Sequence, residues 1–122
     1  MIGGWSLKRE FEILKTIIGF CDEIEHFVRH YGSDIRDFQE NHSLQYGCAF
    51  LISQIGEYNK RLSSGFRDEH PDVDWRGAAK MRDIIAHQYG SLNIKILKDT
   101  VLNDIPKLKN GCQSILDEME HI

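Results

Sequence analysis

Apolar residues return every three or four positions along nearly the whole of this chain, and no strand-length stretch alternates with a period of two. A pattern of that kind buries one stripe of each helix and leaves no face for a sheet. Phe11, Leu14, Ile18, Cys21, Phe27 and Val28 predict a long helix from about residue 6 to 31, ended by Gly32. Ser33 is then the expected cap of a short helical turn through Phe38. Leu44, Cys48, Leu51, Ile55 and Leu62 predict a second long helix, from about 42 to 63. Gly47 and Gly56 lie inside it, each costing about 1 kcal/mol against alanine, so a close approach by another helix is expected there.

The segment SSGFRDEHPDVD is the main punctuation and is expected to be a connection with one short turn of helix. Asp74 should cap a third helix, Trp75 to about Gln88, with Gly90 ending it. Ile94, Leu97, Val101, Leu108, Cys112, Ile115 and Met119 mark a last helical stretch. Pro106 lacks an N–H, so it should kink that stretch or restart it, with Asp104 as the cap of the restart. The expected fold is all-α: an antiparallel four-helix bundle with short extra helical turns, in one domain spanning residues 1–122.

Composition narrows the function. Hydrophobic residues make up 41% and charged residues 28%, an ordinary globular mixture. There is no apolar run of membrane-spanning length, and the first residues show no secretory h-region, so no membrane association is expected. Cys21, Cys48 and Cys112 are odd in number, far apart and set among apolar neighbours, as reduced core thiols of a cytoplasmic protein would be. The net charge of −4 argues against a protein that coats long stretches of nucleic acid, but permits a small local basic site.

The third helix carries the chemistry. At 100° per residue from Trp75, the residues Gly77, Ala78, Met81, Ile84, Ile85 and Tyr89 share an apolar arc from roughly 180° to 320°. Gly77 and Ala78 should leave room there for a neighbouring helix. Arg76, Lys80, Asp83 and His87 fall together on the polar side. Arg82 lands at the edge of the apolar arc, where an arginine is costly unless it is paired or faces a wet cleft. Each residue has a structural reading: a snorkelling Arg82, a dipole-favoured His87, a core Tyr89 with its hydroxyl at the rim. Their occurrence together within eight residues, beside Lys80 and Arg76, favours a functional one.

The run Arg82-Asp83-Ile84-Ile85-Ala86-His87-Gln88-Tyr89 resembles the Arg-x4-His-x-Tyr motif of HepT-like HEPN ribonucleases. The stretch from Ile52 through Gly56 and Glu57 to Leu62 is similar to that family's Ile-Gly-Glu helix. His70-Pro71 with Trp75 resembles its His-Pro-x-x-x-Trp connection, and Asn103 to Leu108 its closing Asp-Leu-Pro-x-Leu segment. The resemblance implies a homodimer whose motifs meet across the interface and a metal-independent cleavage of RNA, with no cofactor. It also implies a minimal nucleotidyltransferase antitoxin, MntA-like, that silences the toxin by adding AMP to the motif tyrosine. Carried onto this chain, Arg82 and His87 become catalytic and Tyr89 the modified hydroxyl. Asp83 stands where the family often has Asn, and a carboxylate beside a phosphate site repels substrate.

The residues support the same chemistry on their own terms. Without a metal, the 2′-OH of RNA must attack its own phosphate. Histidine, with a pKa near 6.5, suits proton acceptance. Arginine offers a permanent charge and a planar fork of donors for the phosphate oxygens. Asp83 precedes His87 by four residues and could fix its tautomer, while Lys80 and Arg76 would add phosphate contacts. Glu57 on the second helix is a candidate partner for Arg82. Arg82 and His87 point about 140° apart on a straight helix, so one helix alone does not aim both at one phosphate, whereas two copies of the motif can. His26 and His30, with Glu23 a turn earlier, have metal-pair spacing but no third ligand in view, and no metal site is expected. The alternative function is a non-catalytic HEPN module that binds a nucleotidyltransferase partner and its nucleotide.

Overall fold

The computed structural model describes residues 4–78 and 93–121. All regular elements among them are helical: α1 (Gly4–Tyr31), α2 (Ile35–Glu40), α3 (His42–Arg61), α4 (Ser64–Glu69), the opening turn of α5 at residues 75–78, α6 (Ile94–Asp99) and α7 (Ile105–Glu120). No helix among the described residues is long and apolar enough to cross a membrane.

The chain turns where its glycines and capping residues require. Gly32 adopts φ +109°, the left-handed region that glycine enters without a Cβ clash, and its N–H closes α1 on the Val28 carbonyl at 2.8 Å. A Cβ there would also collide with the Asp37 carboxylate. The cap of α2 is Asp34 rather than Ser33. The carboxylate of Asp37, three residues on, accepts the Asp34 N–H at 3.0 Å, which fixes the start one residue later than serine preference alone suggests.

Helix α3 runs antiparallel to α1. Arg9 reaches the Arg61 carbonyl at 2.6 Å, the rings of Phe20 and Tyr58 meet edge to face, and Phe27 lies over Gly47. A Cβ at Gly47 would sit 2.7 Å from the Phe27 ring, so the expected close approach is made there. Glu10, almost fully buried, pairs with Arg9 and accepts the Ser63 N–H, holding the α3–α4 corner against α1. Helix α7 is also antiparallel to α1. Lys109 stands between Asp22 at 2.7 Å and Glu25 at 3.1 Å, and Val28 and Leu102 line one groove nearer the other end. Leu14, Ile17, Cys21 and Ile24 of α1 meet Ile52 and Ile55 of α3, Leu97 of α6, and Ile105 and Cys112 of α7 in one core from which solvent is excluded. The thiol of each cysteine is pushed up to about 12, chiefly by burial, with Cys112 and Asp22 contributing at Cys21.

Pro106 lies in the first turn of α7, directly after a widened helical segment. Residues Thr100–Asp104 form a wide π-type segment between α6 and α7, in which the Ile105 N–H bonds to the Thr100 carbonyl five residues back. The register shift takes up the missing proline N–H, and Asp104 has helical backbone angles and no capping bond. The expected cap at Asp104 is therefore replaced by a continuous, locally widened helix. The third helix of the expected bundle, Trp75 to about Gln88, falls mostly outside the described residues.

Candidate functional site

Of the segment expected to carry the site, the structure describes the opening turn of α5 at residues 75–78. Asp74 accepts the Gly77 N–H at 2.9 Å, as an N-cap should. A Cβ at Gly77 would meet this cap carboxylate first. Ala78 and Trp75 are buried, and Arg76 is exposed, so the first turn presents the apolar and polar sides read from its sequence. The indole N–H of Trp75 donates to the His70 carbonyl at 2.9 Å, fastening the helix to the connection before it.

A second tie comes from α3. Asn59 is 1% exposed, and its amide donates to the Trp75 carbonyl at 3.0 Å. Its Oδ1 has no hydrogen-bond partner among the described residues. A buried amide without a partner is expensive, so the bond from Asn59 to the opening turn of α5 is a strong positional constraint. On the far side, Val73 packs over Gly111 of α7, and a groove of about 320 Å³ separates Gly77 and Ala78 from Asp104, Lys107 and Leu108. Trp75 and Val73 thus clamp the start of α5 between α3 and α7.

Three comparisons bear on what this arrangement is. A family model described as Ribonuclease HepT-like matches residues 17–115. The chain belongs to the HepT-like ribonuclease family. It is 33% identical over 104 residues to a protein of Thermococcus cleftensis named "Probable ribonuclease HepT", covering 85% of this chain and 93% of that one. A relative from Caldanaerobacter subterraneus subsp. tengcongensis, also named as an RNase, is 31% identical over 105 residues, 86% of this chain and 92% of its own. Another from Methanocaldococcus jannaschii, again named as an RNase, is 26% identical over 114 residues, 93% and 97% of the two chains. No solved structure matches the chain significantly.

Within this HepT-like chain, Lys80, Arg82, Asp83, His87 and Tyr89 lie outside the described residues. Arg76 and Glu57 lie inside them. Arg76 is exposed in a groove it shares with Arg67 and three carboxylates, Asp68, Asp72 and Asp74, so that wall is net acidic. Glu57 is partly exposed on α3 and is not without a partner. Among the described residues, no group of three or more His, Cys, Asp or Glu could hold a metal ion. Asn59 was not singled out from the sequence as part of the site. The available signal was its phase: it lies four residues after Ile55, on the buried side of α3, where a polar residue calls for a specific partner.

Proposed function

We propose that this chain is a metal-independent endoribonuclease acting as the toxin of a toxin–antitoxin pair. The observation that carries the reading is membership of the HepT-like ribonuclease family together with an intact Arg82–His87–Tyr89 pattern. The substrate is RNA, and the setting is the cytoplasm. His87 takes the proton from the 2′-OH, the O2′–P bond forms, and the P–O5′ bond breaks, giving a 2′,3′-cyclic phosphate and a 5′-oxygen that takes its proton from water. Arg82 holds the charge that develops on the phosphate oxygens. Asp83 orients the imidazole, and Lys80 and Arg76 contact flanking phosphates. A homodimer supplies two copies of the motif, which answers the angular separation of Arg82 and His87. Addition of AMP to Tyr89 by a nucleotidyltransferase partner places a phosphodiester and a bulky nucleoside beside the arginine and histidine, blocking RNA by charge and by size.

The test is cleavage of single-stranded RNA by purified protein in EDTA. Arg82→Ala and His87→Ala should each stay helical and lose about two to three orders of magnitude in rate. Equal cleavage by wild type and a folded His87→Ala variant overturns the catalytic assignment. Sedimentation at micromolar concentration showing only a 14.2 kDa species overturns the dimer. Mass spectrometry after incubation with the partner and ATP should place AMP on Tyr89, and Tyr89→Phe should resist silencing. The second reading, a non-catalytic module that binds the nucleotidyltransferase and its nucleotide, is favoured by the net charge of −4 and by Asp83. It requires that the wild type cleave no RNA.

A further inference from the structure

An acidic ribonuclease must still hold its substrate, so the distribution of charge among its grooves decides where a strand can lie. The groove beside Gly77 has Asp72, Asp74 and Asp104 against Lys107. The groove holding Arg76 is net acidic as well. The one between α1 and α7 pairs Glu25 with Arg29. A fourth, of about 520 Å³ between α2 and α6, is lined by Lys95, Lys98, Asp99, Asn93, Gln39 and Ile35, and of these four grooves it alone carries net positive charge.

Its cations are available. Lys95 is exposed and Lys98 partly so, and neither makes an ion pair among the described residues, although Asp99 shares the groove. Three residues apart on α6, the two lysines project from one side of the helix. The acidic residues of α2 are engaged elsewhere: Asp37 caps Asp34, and Glu40 faces Arg36 at 4.0 Å. Asn93 spends its Oδ1 on the Ile96 N–H at 3.1 Å, leaving its amide N–H groups as donors, and Gln39 is exposed. Ile35, 40% exposed, gives the groove an apolar lip. The groove is also close in sequence to the motif. Lys95 follows His87 by eight residues, at most roughly 28 Å of extended chain.

The geometry points to this α2–α6 groove as an RNA-backbone subsite, with Lys95 and Lys98 contacting phosphates that flank the one cleaved. The inference rests on the ribonuclease reading and extends it to residues outside the motif. Contacts of this kind position a strand without reading its bases, so they act equally on all sequences.

The experiment uses the full chain and a fluorescently labelled single-stranded RNA with 2′-O-methyl riboses, which binds but lacks the attacking hydroxyl. Anisotropy titrations between about 50 and 200 mM salt give the slope of log Kd against log salt. For Lys95→Ala/Lys98→Ala that slope should shrink by about 1.4, since each phosphate contact on a single strand contributes about 0.7. The loss should be the same for several RNA sequences, while Lys107→Ala, in the acidic groove, keeps the wild-type slope. An unchanged slope for the double variant overturns the subsite. Cleavage of ordinary RNA by the wild type, measured in parallel, separates the two claims. Cleavage with an unchanged slope removes only the groove, and a groove-dependent slope without cleavage removes the ribonuclease reading and keeps the groove.

Discussion

Replacing Asn59 with aspartate should destabilise the protein in a pH-dependent way that an ordinary cavity or packing defect would not produce. Asn59 is 1% exposed and donates its amide to the Trp75 carbonyl at 3.0 Å. An ionised aspartate has the same size but no donor, and it sets two oxygens against each other in a dry site. Burial raises the carboxyl pKa, and a rise of about 2–3 above the unfolded value near 3.9 is reasonable for such a position. At 1.36 kcal/mol for each unit, the variant loses about 3–4 kcal/mol at pH 7.5. For a chain of 122 residues, 1 kcal/mol corresponds to roughly 4 °C, so Tm should fall by roughly 12–16 °C.

The sign follows from linkage. Because the folded pKa is the higher one, the folded state holds the proton while the unfolded state has released it. Stability therefore falls as pH rises from about 4 to the folded pKa and is flat above it. Below about pH 4 the protonated carboxyl can donate to the Trp75 carbonyl, and the variant should approach wild type. Circular-dichroism melts of both proteins at pH 4 and 7.5 provide the assay. Asn59→Leu, which removes the amide donor without adding a titratable group, should cost about 1–3 kcal/mol with no pH dependence of the difference. A Tm difference between Asn59→Asp and wild type that is the same at both pH values would refute the reasoning.

Two other perturbations follow from the same geometry. With Cys21, Cys48 and Cys112 buried and their thiols pushed up to about 12, a thiol reagent at pH 8 should label the native protein only at the rate of its opening. Labelling of any of the three as fast as in denaturant would contradict this. Asp74→Ala should remove the cap of α5 at a cost of about 1 kcal/mol, near 4 °C in Tm, and Asp74→Ser should recover most of it. An unchanged melting point for the alanine variant would show that the Gly77 N–H finds another acceptor.

The sequence by itself determined the two long helices α1 and α3, and the family. Apolar spacing set α1 and α3 to within two residues at each end, because a helix must keep one continuous stripe facing the core. Gly32 ended α1 as expected, since its positive φ is a local requirement that only the residue at that position can meet. The Arg82–His87–Tyr89 pattern and its companion segments were enough to name the HepT-like family, because a motif is a property of the chain. The tertiary structure decided what depends on residues distant in sequence. The cap of α2 is not of that kind, for Asp37 selects Asp34 over Ser33 from three residues away. Packing gave Gly47 its reason, the Phe27 ring. Asn59 reads as one polar residue in an apolar phase until Trp75, sixteen residues away, supplies its acceptor. Lys95 and Lys98 are two lysines among fifteen basic side chains until α2 closes against α6 and leaves them in a common groove. Periodicity and capping are short-range effects that the chain encodes directly. Partner choice and groove charge are sums over elements that only packing brings together.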